Sequence, residues 1–323
     1  MGENVHFEKI PTGLKESFYA LRNIILTKSK NMVLIISSPC HMLVPIAFLA
    51  GARNIVLDAG WPLTDSTLLR VKEKSWYEQF KAIVLSLCID WLGFQLAKIV
   101  FLESNMQVKR IKRIFFRKSK FICSYTGFNR IGRTQEVDVD LEFVQKIQTL
   151  GKFALFRGSN NEESGIDVIL ESANHLESHA KILVATDRCD LVPNNNKVVI
   201  WKGFLSSNEL HYLIQNCSIM IGQFGETKRS RHTIPHKFYE AAYYGKPYLS
   251  PPSEALQELL PEKYDFLVVD PTPQFLATKI DFLFRSPENQ ERLSSTLKQV
   301  YESRVSQEKI SLEFLETIKE RLH

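Results

Sequence analysis

The stretch 234–247 combines the residue types that a phosphate site needs. Pro235 suits the first turn of a helix, good helix formers follow it, and Gly245 is typical of a helix end. The start of such a helix directs N–H groups and a partial positive charge towards an anion. Glu240 lies about one turn further on and offers a carboxylate to hydroxyl groups. The spacing therefore predicts a site for a phosphate beside a diol, and the alternative is an amphipathic helix with one solvated glutamate.

The same stretch resembles a known signature. Pro235, Lys237, Glu240, Gly245 and Pro247 fit the pattern Pro-x-Lys-x-x-Glu-x-x-x-x-Gly-x-Pro of nucleotide-sugar glycosyltransferases with the GT-B fold, family 4 (glycosyl transferases group 1). The resemblance implies that the glutamate holds the donor ribose and that the helix start faces the diphosphate. It further implies a hexosyltransferase-like enzyme of polysaccharide or glycolipid biosynthesis, which moves a sugar to a glycan or lipid-linked acceptor with retention. It implies no cofactor and no metal.

Further elements of the second half resemble the donor domain of that family. Arg157-Gly158-Ser159 follows an apolar strand, and Gly203-Phe204 follows another, where the family contacts the diphosphate and the base. A glycine at position 158 would let the backbone approach the donor, because it lacks a Cβ. The donor-binding residues implied by the resemblance are Arg157, Gly158, Ser159, Gly203, Phe204, Pro235, His236, Lys237 and Glu240.

The chain departs from the family pattern at several positions. Ser159 and Ser164 stand where members usually carry an arginine and a lysine for the diphosphate, and His232 stands where many carry a glutamate that faces the sugar. Arg157 and Lys237 are the candidates to supply the cation that diphosphate departure requires. His232 and Glu226 are the candidate catalytic residues at the sugar end.

The order of apolar runs indicates the fold class. Runs with strand character at 32–36, 54–58, 99–102 and 121–125 alternate with helical segments, and the alternation is repeated at 152–156, 181–185, 198–201, 218–222 and 267–269. Continuous apolar strands separated by helices indicate parallel sheets covered on both faces. The sequence predicts an α/β protein with two doubly wound, Rossmann-like domains facing a cleft, the GT-B architecture, with the N-terminal domain shortened.

We expect three parts along the chain. Residues 1–135 form the acceptor-side domain, residues 136–305 form the donor-binding domain, and residues 306–323 form a C-terminal helix that can pack back on the first domain. In parallel sheets ligands bind beyond the carboxyl ends of strands. His41, Asp58 and Trp61 occupy such ends in the first half and are the acceptor-side candidates, although a lone histidine there is more often structural.

No metal site is predicted from the residues. The one Asp-x-Asp, Asp138-Val139-Asp140, follows the inter-domain linker, where carboxylates that open a helix explain it more simply. The sequence has an odd number of cysteines, five, and no Cys-x-x-Cys motif. It therefore indicates neither a disulfide framework nor a structural zinc site. Cysteine usage and an N-terminus without a signal-peptide pattern favour the cytoplasm.

The positive charge is concentrated in the first part of the chain. Residues 1–140 carry 20 Lys and Arg against 12 Asp and Glu, and the excess is greatest between 109 and 120, interleaved with apolar side chains. Such a stretch can lie on the inner face of an anionic membrane. The alternative is a solvated basic helix with its apolar side in the core. No nucleic-acid module supports nucleic-acid binding. The candidate membrane contacts are Lys109, Arg110, Lys112, Arg113, Arg117, Lys118 and Lys120.

The apolar run 82–102 is long enough to span a bilayer. Asp90, Gln95 and Lys98 interrupt it, and each is costly in hydrocarbon. The sequence favours a buried helix that leads into a strand at 99–102.

Two other functions fit the pattern. The departures from the family signature allow a catalytically degenerate, nucleotide-sugar-binding subunit that assists an active transferase. A GT-B-fold sugar-nucleotide epimerase is a weaker alternative, since no set of catalytic carboxylates is evident. The sequence does not identify the sugar, the base, the acceptor or the oligomeric state.

Overall fold

A computed structural model describes most of the chain and divides it into two compact units. Unit 1 comprises Met1–Tyr125 and Glu313–His323, and unit 2 comprises Thr126–Leu312. The sequence had placed the first boundary at 135. The residues described are 6, 8–28, 32–72, 74–114, 120–128, 139–159, 161–187, 190–193, 195–225, 227, 229–261, 264 and 270–322. The predicted strand at 267–269 and most of the predicted linker lie outside these residues.

Unit 1 is built on a four-stranded parallel sheet with the strand order β1-β2-β3-β4. Its elements are α1 (Leu14–Thr27), β1 (Leu34–Ser37), α2 (Leu43–Leu49), β2 (Ile55–Gly60), α3 (Leu63–Arg70), α4 (Trp76–Leu96), β3 (Ile99–Leu102), α5 (Asn105–Lys112) and β4 (Phe121–Cys123). The main core packs side chains of α2, α4 and α5 against one face of this sheet. Phe314 and Ile318 cover the other face, where Phe314 lies against Phe101 at a ring-centroid distance of 4.3 Å.

Unit 2 is built on a five-stranded parallel sheet with the strand order β7-β6-β5-β8-β9. Its elements are α6 (Leu141–Leu150), β5 (Phe153–Arg157), α7 (Ile166–Ser172), β6 (Lys181–Thr186), β7 (Val198–Lys202), α8 (Ser207–Asn216), β8 (Ile219–Ile221), α9 (His236–Tyr244), β9 (Tyr248–Leu249), α10 (Glu254–Gln257), α11 (Pro273–Arg285) and α12 (Pro287–Val300). The last helix, α13 (Gln307–Leu322), begins in unit 2 and belongs to unit 1 from Glu313 onwards. Helix α7 continues as a 3₁₀ turn, Ala173–His175, and α12 continues as a π-helical segment, Tyr301–Val305.

Local signals in the sequence explain where several helices begin and end. Ser206 and Glu209 form a capping box at the start of α8, and the Asp140 side chain accepts the Glu142 N–H at the start of α6. Gly245 ends α9 with φ +61°, a left-handed conformation that glycine adopts without a Cβ clash. The predicted α/β fold class with parallel sheets is confirmed.

The prediction of a buried helix within 82–102 is wrong in one respect. The segment does form a helix, α4, that leads into β3, but its described buried residues are only Ser86, Asp90, Gly93 and Phe94. The Asp90 carboxylate accepts the N–H groups of Leu63 and Thr64 at 2.9 Å, so a charged side chain occupies the inner face because it caps α3. By length and composition α4 could cross a membrane.

Candidate functional site

The strand order of unit 2 reverses direction at β5. The chain runs outwards from β5 to β6 and β7, and then returns to place β8 and β9 on the other side. At such a reversal the connections leave the sheet in opposite directions, and a crevice remains beyond the carboxyl ends of the two central strands. Arg157 and Gly158 end β5 at this point, and Gln223 follows β8.

A cavity of about 180 Å³ lies at this strand reversal. Six of the residues around it were predicted for the donor site, and Asn161, Ser164 and Gln223 were not assigned to it from the sequence. The lining residues are Arg157, Gly158, Ser159, Asn161, Ser164, Gln223, Pro235, His236 and Lys237. The start of α9 therefore faces the same space as the end of β5, which is the arrangement that suits an anion.

Glu240 lies beneath this cavity and is 2 % exposed. Arg157 donates from Nε to Oε2 of Glu240 at 2.9 Å and also donates from Nη2 to Oε1. His236, one turn before the glutamate, places Nδ1 3.2 Å from Oε1. Burial acts to raise the pKa of Glu240, but the hydrogen bonds from His236 and Arg157 and the Arg157 charge outweigh it, so the pKa is lowered. The carboxylate stays ionised and oriented.

Lys237 is the second cation and is 6 % exposed. Its Nζ lies 4.4 Å from the centroid of the Phe156 ring, a cation–π contact. Burial is the main cause that lowers the pKa of Lys237 to about 7, the nearby Arg157 lowers it further, and Glu240 and Glu163 act in the opposite direction. The Lys237 side chain therefore changes between amine and ammonium near neutral pH, and a bound anion would favour the charged ammonium form.

Gly158 permits the close approach of Lys237. A Cβ at this position would lie 3.1 Å from Nζ of Lys237, and the glycine has φ +150°. A second close approach involves Gly165 at the start of α7, where a Cβ would lie 2.4 Å from the Phe224 carbonyl carbon. Gly225 faces the same contact, because its Cβ would overlap the Glu162 carbonyl oxygen. These glycines hold the turn at 161–165 against the loop that follows β8.

Several residues around the site were not found from the sequence. Glu163 accepts a hydrogen bond from Arg229 at 2.9 Å, and this pair anchors the loop that leads to α9. The Phe128 ring packs against His236, with 5.6 Å between the ring centroids. The backbone carbonyl of Phe128 accepts the Tyr301 hydroxyl at 2.8 Å. These partners lie far apart along the chain, so no local pattern could have revealed them.

The predicted catalytic residues have different outcomes. His232 is half-buried in the loop before α9, and its backbone N–H donates to the Arg229 carbonyl at 2.9 Å. Its neighbour Arg231 lines a second cavity of about 390 Å³, which shares Gln223 and Pro235 with the smaller one. Glu226 lies outside the described residues. The role of His232 at the sugar end stays a prediction.

Gly203 and Phe204 do not line the cavity at the strand reversal. They follow β7, the edge strand that is separated from β5 by β6. Gly203 has φ +106°, and Phe204 is 96 % exposed. Their predicted contact with the base stays a prediction.

The acceptor-side candidates lie in unit 1. His41 has no exposed surface, and its Nδ1 lies 3.3 Å from Oδ1 of Asp90, so the structure gives it a place in the core rather than on a binding surface. Asp58 is half-buried in β2, and burial raises its pKa while His41 acts against this. The half-buried Trp61 donates from Nε1 to the Ser66 hydroxyl at 2.7 Å.

The predicted basic surface of residues 109–120 is divided in the structure. Lys109 and Arg113 are exposed and Lys112 is half-buried, whereas Arg110 pairs with Asp65. Lys120 is buried and donates to the carbonyl groups of Gln95 and Ala97, so it is not available to a membrane in this structure. Arg117 and Lys118 lie outside the described residues. Within the described part of the chain, no group of three His, Cys, Asp or Glu side chains is placed to hold a metal.

Residues 140–300 match the family model described as glycosyl transferases group 1. This range holds β5, β8 and α9, and with them the whole arrangement around Glu240. No curated protein matches the chain at the level of sequence.

Several solved structures share the fold at low sequence identity. Anabaena HepE in complex with UDP-glucose is 13 % identical with a TM-score of 0.66, and the match covers 94 % of this chain and 82 % of that one. Sucrose-phosphate synthase from Thermosynechococcus elongatus is 12 % identical with a TM-score of 0.68, over 95 % and 77 % of the two chains. A glycosyltransferase from Rickettsia africae is 15 % identical with a TM-score of 0.64, over 100 % and 84 %.

Two parallel α/β units of this kind define the GT-B fold, and the site at the strand reversal lies in the unit that carries the family match. The protein is a transferase of this fold. Through residues 140–300 the chain belongs to the glycosyl transferases group 1 family.

Proposed function

We propose that the protein transfers a sugar from a nucleotide-sugar held by unit 2 to a hydroxyl group of a glycan or lipid-linked acceptor, with retention of the anomeric configuration. The observation that carries the proposal is the buried Glu240 carboxylate, held by Arg157 and His236 beside a cavity at a helix start. The carboxylate would accept the ribose hydroxyls, since an ionised carboxylate offers about four acceptor positions. The diphosphate would occupy the cavity that Gly158 and Lys237 line.

The two cations would act on the leaving group. Transfer breaks the bond between the anomeric carbon and a diphosphate oxygen, forms a bond from that carbon to the acceptor oxygen, and releases the acceptor proton. The nucleoside diphosphate leaves with an additional negative charge, which Arg157, Lys237 and the start of α9 can stabilise. The sugar would extend towards the larger cavity, beside the loop that carries His232 and Arg231. Such positioning and charge stabilisation supply most of what this reaction needs.

A thermal-shift panel of UDP, GDP, CDP, ADP and their sugars tests the donor assignment. UDP-sugars come first, because HepE with the same fold was solved with UDP-glucose. A ligand at about 100 times its dissociation constant adds roughly 2.7 kcal/mol to the free energy of unfolding, which raises the melting temperature measurably. A shift with one nucleotide supports the proposal, and no shift with any of them overturns the donor site.

Turnover and stereochemistry need a separate measurement. The nucleotide-sugar that stabilises the protein is incubated with glycan and glycolipid acceptors, and the anomeric configuration of the product is determined by NMR. A product with the donor's configuration supports retention, and the opposite configuration overturns it.

The second candidate function is a donor-binding subunit without activity of its own. Two observations favour it: Ser159 and Ser164 stand where the family usually has cations, and His41 is buried in unit 1. Stabilisation by a nucleotide-sugar without turnover, even when a cell extract supplies acceptors, would favour this function. Turnover by the purified chain alone would exclude it.

A further inference from the structure

Helix α4 presents a broad apolar face outwards, while polar side chains share its inner side with one aromatic ring. Ser86, Asp90, Gly93 and Phe94 are buried, whereas six large apolar side chains on the opposite side are each between 52 % and 77 % exposed. These six are Trp76, Tyr77, Phe80, Leu85, Leu87 and Trp91. Helices of soluble proteins usually turn their apolar side towards the core and their polar side towards water. A contiguous exposed apolar face of this kind marks an interaction surface.

The apolar face of α4 is broad. At about 100° per residue its side chains extend over roughly half of the helix circumference. A partner helix in a coiled coil covers only the narrow stripe of two positions in seven, so half of this face would stay exposed beside it. A flat apolar medium covers a broad face more completely. Trp76, Tyr77 and Trp91 add aromatic rings with a polar edge, which are enriched where hydrocarbon meets water.

The structure favours a helix that lies on a membrane over one that crosses it. Only 22 % of the most apolar 18-residue stretch of α4 is buried within the protein. The buried side is fixed to unit 1, because the Asp90 carboxylate accepts two N–H groups at the start of α3. Crossing would carry that carboxylate and the N–H groups that it accepts into hydrocarbon, at a cost of several kcal/mol. A helix that lies in the interface leaves this side in contact with the protein.

The charges near the apolar face are mostly positive. Three exposed basic residues lie around the start of α4: Arg70 at the end of α3, Lys74 just before α4 and Lys81 within it. Glu78 in the first turn of α4 forms a capping box with Ser75. Helix α5 packs in the same core layer as α4, on the same face of the sheet, and its end carries the exposed Lys109 and Arg113. Basic side chains around an apolar face complement the anionic headgroups of a bilayer.

We propose that α4 is a membrane-binding helix that lies in the interfacial layer of an anionic bilayer, with its Trp76–Trp91 face in the lipid and Lys74 and Lys81 at the headgroups. This inference does not rest on the donor chemistry proposed above, because α4 and the site around Glu240 belong to different units. It moves the predicted membrane contact from the 109–120 stretch, part of which is buried or paired, to a surface centred on α4.

Vesicle binding by the full chain tests the proposal, and intrinsic tryptophan fluorescence is the local reporter. Two of the four tryptophans, Trp76 and Trp91, lie on the proposed face. Vesicles of phosphatidylcholine with about 30 % phosphatidylglycerol should shift the emission to shorter wavelength and co-float the protein, and pure phosphatidylcholine should do so less. The shift should persist in Trp61→Phe/Trp201→Phe and disappear in Trp76→Phe/Trp91→Phe.

Polar substitutions on the face measure its contribution. Phe80→Ser/Leu87→Ser should lower vesicle affinity by about tenfold or more, since both side chains are exposed and their apolar area would be buried in lipid. Lys74→Ser/Lys81→Ser should lower affinity for anionic vesicles by about fivefold per lysine. The matched control Leu141→Ser/Leu312→Ser changes two exposed apolar residues of unit 2 and should leave binding unchanged.

Three results would overturn the proposal. The first is no flotation of the wild-type chain with either vesicle type. The second is equal binding by wild type and Phe80→Ser/Leu87→Ser. The third is a wild-type oligomer in solution that dissociates in Phe80→Ser/Leu87→Ser, because a second copy would then cover the face. A circular dichroism melt that matches wild type shows that each variant is folded.

Discussion

The two parallel sheets differ in the order of their strands. In unit 1 the order β1-β2-β3-β4 follows the chain, and α2, α4 and α5 pack in one core layer on one face. In unit 2 the order β7-β6-β5-β8-β9 reverses at β5, and the cavity with Arg157, Lys237 and the start of α9 lies at that reversal. When successive strands are added in one direction across a sheet, right-handed crossovers place all the connecting segments on the same face. When the direction reverses, two neighbouring strands have connections on opposite faces, and a crevice opens between them. The comparison shows why unit 2 has a crevice at its strand reversal, where we propose that the donor binds, while unit 1 presents a helical surface.

The largest expected effect compares one carboxylate of each unit, the buried Glu240 in α9 and the half-buried Asp58 in β2. Glu240→Gln should lower the affinity for the stabilising nucleotide by about a hundredfold or more, because the Arg157 guanidinium loses its charged partner and, in the proposed complex, the ribose loses an anionic acceptor. Asp58→Asn, in β2 of unit 1, is the matched control and should change the affinity by less than about twofold. Isothermal titration calorimetry measures both. Equal losses would break the assignment of the donor to unit 2.

A second prediction compares the glycines near the ends of β5 and β2. Gly158→Ala should lower nucleotide affinity by about tenfold, because the new Cβ meets Lys237 and the backbone has a positive φ. Gly60→Ala also replaces a glycine of positive φ, but nothing lies within 4 Å of its Cβ. Both variants should lose stability in a thermal melt, and only the first should lose affinity. A similar loss of affinity in Gly60→Ala would contradict the comparison.

The third prediction concerns pH and Lys237. The pKa of Lys237 is lowered to about 7 in the free protein, and a bound diphosphate raises it, so binding takes up a proton above pH 7. Affinity for a nucleotide-sugar should therefore be constant below pH 7 and fall as pH rises above 7, by at most about tenfold per unit for one proton. Calorimetry in buffers of different ionisation enthalpy counts the proton.

The matched variant for this prediction is Lys237→Gln, which lacks the titrating group. Its affinity should be lower at pH 7 and should show no such slope between pH 7 and pH 9. A slope that persists in the variant would assign the proton to another group.

The smallest expected effect concerns Phe204, which lies at the edge of the unit 2 sheet rather than at the strand reversal in its centre. Phe204 is exposed beside β7, and stacking on a nucleobase would contribute about 1 kcal/mol. Phe204→Ser should then lower the affinity for the nucleotide by about fivefold and leave the affinity for inorganic pyrophosphate unchanged. Competition binding measures both ligands. An equal loss for pyrophosphate would place Phe204 near the phosphates instead of the base.

Local patterns predicted the secondary structure well where particular residue types mark the end of a helix or form a strand. Helix α9 ends at Gly245, as the sequence predicts, and β3 occupies the predicted 99–102. The prediction that α4 is buried was wrong, because the hydrophobic content of a helix does not show which of its sides faces the core. In this helix the capping role of Asp90 decides the inner face, and that role depends on α3, which is a partner distant in the chain.

The sequence alone determined the family, the two α/β units with parallel sheets and most of the residues around the cavity at the strand reversal. Capping, glycine placement and strand patterns are local, so they leave a record in consecutive residues. The tertiary structure decided the strand reversal at β5, the Arg157–Glu240 pair, the burial of Lys237 on Phe156 and the outward apolar face of α4. These features depend on which distant segments pack together, and packing depends on the free energy of the whole fold rather than on any one segment.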